Sequence, residues 1–376
     1  MKDWIERIFP EHLEFLKTLA AIPAPSHDEG RRVRFLLDTL REMGCENAYE
    51  DGAKNVIIPV GEGEKYTAYT AHTDVVFPDT EPLPIRQEGD TLYGPGVGDD
   101  TANVAAIVTM LRYIKEKGLK PKSPLLFVLN SCEEGLGNLK GVKQLCRDYE
   151  GRLAGLVSFD CSLEEGLVVR AVGSERWRVT AQTAGGHSYA AFGNANAIHR
   201  MAKLIEALYR QRMPELPHSR VTYNVGTITG GTSINTIAPF CEILYEYRSD
   251  NAYSLSLMRK SFLKLIEVAG DAETRFETEL IGERPCGSGV PKQAQDALIS
   301  RCAEAISAVT GETPERCSAS TDANVPLSLG IPAVTFGLVN GGGAHTREEW
   351  LSVPSLKTGL EIGLKLILDE HFGGEA

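Results

Sequence analysis

Lys65-Tyr66-Thr67-Ala68-Tyr69-Thr70-Ala71-His72-Thr73-Asp74 reads as a short buried strand that ends in a polar His-x-Asp tripeptide. Strand side chains alternate between faces, so His72 and Asp74 project to the same side, where the sheet stops. In open α/β sheets that carboxyl edge is where ligands bind. A histidine beside a carboxylate suits a metal site, with one ring nitrogen on the ion and the other held by the acid. Taken alone, the tripeptide reads more readily as a surface His-Asp pair. The rest of the chain argues for the metal.

Two further apolar strands end in the same way. Leu125-Leu126-Phe127-Val128-Leu129 runs into Asn130-Ser131-Cys132-Glu133-Glu134-Gly135, and residues 153–159 run into Asp160. In a parallel sheet these ends would put His72, Glu133, Glu134 and Asp160 around one crevice. Gly94-Pro95-Gly96-Val97-Gly98-Asp99-Asp100 precedes a helical pattern over 101–116. Glycine-rich turns into helices often bind phosphate. Here no Lys-Ser or Lys-Thr pair follows the glycines, as a Walker A loop requires, and two aspartates would repel phosphate and attract a cation. His345 follows a strand at 333–337 and the turn Asn340-Gly341-Gly342-Gly343-Ala344.

Around these motifs, apolar spacing predicts helices over 4–20, 29–43, 295–311 and 354–370. Strands at 56–60 and 66–71, joined by Gly61-Glu62-Gly63-Glu64, predict a tight hairpin. The pattern changes after about Gly173 to strand-helix-strand-strand-helix-strand. That order predicts an inserted ferredoxin-like α+β domain over 174–285. Residues 1–173 and 286–376 are expected to form an α/β catalytic domain whose central sheet is mainly parallel and flanked by helices.

The bulk numbers fit two domains. Of 376 residues, 42% are hydrophobic and 24% charged, as in ordinary globular proteins, and no run approaches the roughly 18 apolar residues of a membrane span. The net charge of -12 argues against nucleic acid or an anionic membrane as main partner. The start of the chain reads as an amphipathic helix and not a signal peptide. The eight scattered cysteines include no C-x-x-C, so the expectation is a cytoplasmic protein with reduced thiols.

The ordered set His72-x-Asp74, Gly98-Asp99-Asp100, Glu133-Glu134, Asp160 and His345 resembles the co-catalytic di-zinc exopeptidases and deacylases of metallopeptidase family twenty. The likeness runs over nearly the whole chain. It implies that His72, Asp99 and Asp160 hold one zinc and that Asp99, Glu134 and His345 hold the other, with cobalt or manganese as alternatives. Asp74 would orient His72, the Asp99-Asp100 peptide would be cis, and Glu133 would be the general base. In the inserted domain, which would act as a lid and dimerise, Gly186-His187-Ser188 matches a histidine that reaches the partner subunit's active site. Asn235 and Arg248 match residues that grip the substrate's carboxylate end. Two positions depart from the pattern: Thr101-Ala102 stands where Lys-Gly is common, and Cys132 where threonine or aspartate is expected.

Zinc accepts imidazole and carboxylate ligands. Two cations sharing a carboxylate sit roughly 3.5–4 Å apart and acidify the water between them. Adjacent side chains are expected to diverge, so Glu134 as a ligand leaves Glu133 to take the water's proton and hand it to the leaving amine. His187 could donate to the oxyanion or, alternatively, cap the following helix; Arg248 could be a solvated charge. Asp160 and the stretch Ser320-Thr321-Asp322-Ala323-Asn324 resemble the family's aminopeptidases, which implies a small-peptide exopeptidase; the His187 match implies a homodimer. The alternative is an N-acyl-amino-acid amidohydrolase. A non-catalytic metal-binding protein would be expected to have lost Glu133 or a ligand, and neither is lost. His12, His27, His199, His218 and His371 are expected to be surface or otherwise satisfied groups.

Overall fold

Every residue of the strand Tyr66–His72 is buried. In the computed structural model of the chain, which describes residues 1–217 and 219–373, this strand is fourth in an eight-stranded sheet. The order is Tyr49–Glu50, Val56–Val60, Leu125–Asn130, Tyr66–His72, Leu153–Phe159, Ala333–Phe336, Leu167–Ala171, Arg316–Ala319. Tyr66–His72 runs parallel to both neighbours, and Ala333–Phe336 runs parallel to Leu153–Phe159. Four central strands therefore end at one edge, and the segments that leave them carry His72, Glu133-Glu134, Asp160 and His345.

The expected hairpin between 56–60 and 66–71 does not form. Val56–Val60 pairs antiparallel with Leu125–Asn130, which lies between the two strands. A strand buried along its whole length needs hydrogen-bond partners on both edges, and the six buried residues of Leu125–Asn130 fill one of them. Gly61 and Gly63 serve a close approach instead of a turn: a Cβ on either would come within 2.7 or 2.8 Å of Pro121 or Pro124, on the segment entering that strand.

Period-two alternation divides the sheet's two faces. Tyr69, Ala71, Phe127, Leu129, Val157 and Phe159 pack into a core shared with the helices Lys2–Ala21, Gly30–Glu42, Asn103–Glu116, Lys292–Thr310 and Val353–His371. Ala68, Leu126, Val128 and Leu156 face the other way, against Lys140–Asp148 and Asn324–Ser328. Each of the buried Leu, Val and Phe side chains contributes about 1.5–3 kcal/mol, which fixes the strand ends that carry the site. A small antiparallel sheet, Gly341–Gly342, Trp350–Ser352, Thr91–Tyr93 and Arg86–Glu88, then brings the segment around His345 beside the segment leading to Asp99.

The chain divides into two compact units, Met1–Ala171 with Ser288–Ala376, and Val172–Gly287. The second unit is an antiparallel sheet in the order Val221–Gly230, Phe240–Ser249, Gly173–Gln182, Arg275–Arg284. The helices Ala197–Arg210 and Ala252–Ala269 pack on the face that carries Trp177, Val179, Ile243 and Tyr245. This is the ferredoxin-like order. Asn196 and Asn251 cap its two helices, their side chains accepting from Ile198, His199 and Ser254 amides. No helix among the described residues is long and apolar enough to cross a membrane.

Candidate active site

Asp99 lies between two histidines. Its Oδ1 is 3.0 Å from His72 Nε2 and its Oδ2 is 3.2 Å from His345 Nε2. On the far side His345 Nε2 stands 3.1 Å from Glu134 Oε1, and His72 Nε2 stands 4.0 Å from Asp160 Oδ1. His72, Asp99, Glu134, Asp160 and His345 are thus brought together from five separate segments. Ligand atoms of Asp99, Glu134 and His345 all lie within 4.8 Å of one another, as do those of His72, Glu133 and Glu134, and of His72, Asp100 and Asp160.

Asp74 fastens this arrangement from below. His72 Nδ1 contacts the Asp74 carbonyl at 3.0 Å, with the carboxylate at 3.5 Å. The Asp74 carboxylate accepts the Glu133 and Glu134 N–H groups at 2.9 and 3.0 Å and the Ser26 hydroxyl at 2.6 Å. One acid therefore orients the histidine and both glutamates. Glu133 and Glu134 do not diverge. The chain leaves the regular strand at Asn130, Cys132 takes φ +56°, and both carboxylates approach His72.

The Asp99-Asp100 peptide is cis. Asp100 turns away from Asp99 to accept the His72 N–H at 2.7 Å and the Asn103 side-chain amide. Thr101, one of the two departures, donates to the Gly96 carbonyl at 2.6 Å and accepts from buried Arg32, which also donates to the Thr73 carbonyl. Cys132, the other, donates its thiol to Glu29 at 3.0 Å. Burial and that carboxylate push the thiol up to about 12. Both residues brace the loops that hold the site.

Three groups at the site were given no place there by the sequence reading, although Asp322 belongs to a stretch it singled out for substrate preference. The glycine-rich turn does bind an anion, but the anion is the chain's own Glu349, which accepts the Gly96, Gly98 and Asp99 N–H groups at 2.7–2.8 Å. In Arg347-Glu348-Glu349-Trp350 it looks like one more solvated charge. Asp322 is 1% exposed, takes a 2.5 Å bond from the Asn130 amide and has its other oxygen buried without a partner. Glu29 is fully buried beneath Cys132.

Electrostatics follow from this crowding. Burial would lower His72, but Asp100, Asp74, Asp99 and Asp160 outweigh it and hold the imidazole well above its usual range. Bonds to Asp99 and Glu134 raise His345 to about 10. Burial would raise Asp99, yet the two imidazoles hold it below the usual carboxylate range. Burial raises Asp160 to about 6 and lifts Glu134 and, most strongly, Asp322. Seven acids, Asp74, Asp99, Asp100, Glu133, Glu134, Asp160 and Asp322, crowd around two imidazoles, an excess of acidic groups that a bound cation would compensate. Imidazole nitrogen and carboxylate oxygen are also the donor types that borderline divalent ions such as zinc accept.

The remaining sequence-predicted residues lie in the inserted unit. His187 is exposed and pairs with Thr236 across a short ladder, and its neighbour Ser188 donates to the Asn235 carbonyl at 2.9 Å, so His187 and Asn235 share one corner. His187 Nδ1 accepts the Tyr189 and Ala190 N–H groups at 3.3 Å. It thus caps a turn, since the next helix starts only at Ala197 with Asn196 as its cap. Arg248, on a central strand, is bonded by Glu246 at 3.0 and 3.1 Å. Two other histidines are not at the surface. His12 is buried with Nδ1 on Thr109 and Nε2 unpartnered, and buried His371 bonds Tyr69 and Ser123. His199 is exposed and His27 contacts the Leu136 carbonyl; His218 lies outside the described residues.

Residues 68–369 match peptidase family M20/M25/M40. This chain belongs to that family. It is similar to the acetylornithine deacetylase of Aliivibrio fischeri, 26% identical over 402 residues that cover 97% of this chain and 100% of the relative. Among solved structures it is similar to a tripeptidase from Staphylococcus aureus, with a TM-score of 0.79 and 20% identity over 96% of this chain and 97% of the other. The aminopeptidase PepT from Bacillus cereus gives a TM-score of 0.73 and 21% identity, covering 96% and 98%. At such identities the structural likeness establishes the fold. As a member of this family the M20 chain is a metal-dependent hydrolase.

Proposed function

We propose that this M20 chain is a small-peptide exopeptidase that uses two divalent cations, zinc by preference, bridged by Asp99. The observation that carries the reading is Asp99 with one carboxylate oxygen toward His72 and the other toward His345. His72, Asp99 and Asp160 would hold one ion; Asp99, Glu134 and His345 the other. Bound there, the pair supplies Lewis acidity, polarising the scissile carbonyl and acidifying a water.

The rest is work for the chain's own side chains. Glu133, buried and with its amide pinned by Asp74, takes the water's proton and returns it to the leaving amine. Because His187 Nδ1 accepts from two backbone amides, the neutral ring carries its proton on Nε2, the tautomer that can donate to an oxyanion. Asn235 and Arg248 hold the substrate's terminal carboxylate. His187 acts on the site of a second copy, so the working form is a homodimer joined through the inserted unit. Locally, Asp74 holds His72 and both glutamates in one arrangement, so the reacting groups need little reorganisation.

A second reading, an N-acyl-amino-acid amidohydrolase, is favoured by the likeness to the deacetylase over almost the whole chain. The tripeptidase likeness and an aspartate at position 160 support the first. A panel of di- and tripeptides set against N-acetyl and N-succinyl amino acids separates them. Release of free N-terminal residues is expected; turnover of the acyl substrates alone would transfer the assignment to the second reading.

A further inference from the structure

The Asp99 loop and the His345 loop are far apart in the chain and are joined by one buried side chain. Glu349, 2% exposed, accepts the Gly96 N–H on Oε2 at 2.8 Å, and the Gly98 and Asp99 N–H groups on Oε1 at 2.7 and 2.8 Å. Its own carbonyl accepts the Gly94 N–H at 3.0 Å. Successive amides in a turn make such a concavity for an anion, and the glycines leave the room. Gly96 holds φ +69°, and a Cβ on Gly98 would come within 3.3 Å of Glu349 Oε1. From Glu349 the chain runs back to His345 through a tight turn, with Glu349 N–H on the Thr346 carbonyl and Thr346 N–H on the Gly343 carbonyl.

We infer that Glu349 is a positioning residue that locks the backbone of Asp99 against the His345 loop, so that the Asp99, Glu134 and His345 ligand set assembles as one unit. The inference rests on the reading above, in which that set holds a cation. The chemistry requires a carboxylate. Three N–H donors converge on two acceptor oxygens, whereas a glutamine would offer one oxygen and turn an NH2 group toward a donor. Losing the carboxylate lets the loop relax, and Asp99 and His345 then drift independently although neither has been altered. The other set, His72 and Asp160, shares only Asp99 with this loop.

The test strips metal from wild type, Glu349→Gln and Glu349→Ala with a chelator, then titrates each with Zn2+ and with Co2+ by calorimetry. Thermal unfolding is recorded with and without metal. Wild type is expected to take two ions. In both variants the ion on the Glu134 and His345 side, two of whose three ligands move, should bind about 10- to 100-fold more weakly, the usual cost of removing a partner behind a ligand, and the ion on the His72 and Asp160 side, which shares only Asp99 with this loop, should weaken less. The visible absorption of the cobalt on the Glu134 and His345 side should fade in step. A merely structural role would lower the metal-free unfolding temperature and leave the increment on adding metal unchanged, and that result overturns the inference. So does a variant that binds both ions like wild type, or one that weakens both alike. Glu349→Gln is the decisive variant should Glu349→Ala fail to fold. Fewer than two ions in wild type would instead overturn the reading beneath it.

Discussion

Glu133 and His12 each give a sharp expectation. Glu133→Gln keeps both cation sets intact, because its amide rather than its carboxylate is what Asp74 holds. It should retain two ions by atomic absorption while turnover falls about 10²- to 10⁴-fold, the span of general acid–base catalysis; an active variant removes Glu133 from the mechanism. His12 is 2% exposed, and burial lowers its pKa from 6.5 to about 4. Between those values the unfolded chain binds a proton that the folded chain refuses. Stability is therefore full above the higher value and lost as pH falls toward the lower, by about 2 kcal/mol between pH 7 and pH 5. Urea midpoints at the two pH values should show the loss in wild type and a shallower slope in His12→Asn. Equal slopes contradict it. His72, Glu134 and Asp160 were legible because polar groups at the ends of apolar strands stand out against their surroundings, and Asp99 because two aspartates follow a glycine-rich turn. Glu349 was not, and Asp322 was singled out only within a family-like stretch and not as a site group, since a carboxylate's burial comes from segments hundreds of residues away and leaves no local pattern. The expectation that Glu133 and Glu134 diverge failed for a related reason: it assumed strand geometry, and the positive φ of Cys132 ends the strand first.

Among the elements, the turn before the helix Asn103–Glu116 is the most constrained. Gly96 sits at φ +69°, and a Cβ there would meet Val75 Cγ1 at 2.3 Å. Gly96→Ala should cost about 1–3 kcal/mol through strain and overpacking, seen as a lower urea midpoint, and should weaken metal retention because the same backbone carries Asp99. An unchanged midpoint would mean the loop is softer than its contacts indicate. The parallel strands were readable because strands buried on both faces appear as continuous apolar runs. Pairing was not: two strands joined by a short glycine-rich link look like a hairpin, and only the long-range entry of Leu125–Asn130 between them shows otherwise. The inserted unit was read correctly as ferredoxin-like because its strands alternate and its helices are amphipathic, so local periodicity carries the topology.

For the whole molecule, the proposed dimer makes a prediction that separate subunits cannot imitate. Glu133→Ala and His187→Ala should each be nearly inactive. If His187 serves the site of the other copy, co-expressing the two variants yields mixed dimers with one complete site, and activity should return to about a quarter of wild type under random pairing. No recovery would place His187 in its own subunit's site or outside the chemistry. All of this depends on Asp99 standing between two cations. The direct test is anomalous diffraction, collected on either side of the zinc edge, from crystals of the zinc-loaded enzyme. Two peaks are predicted, roughly 3.5–4 Å apart, one against His72 and Asp160, the other against Glu134 and His345, with Asp99 between them. A single peak, or none within reach of Asp99, would contradict the account.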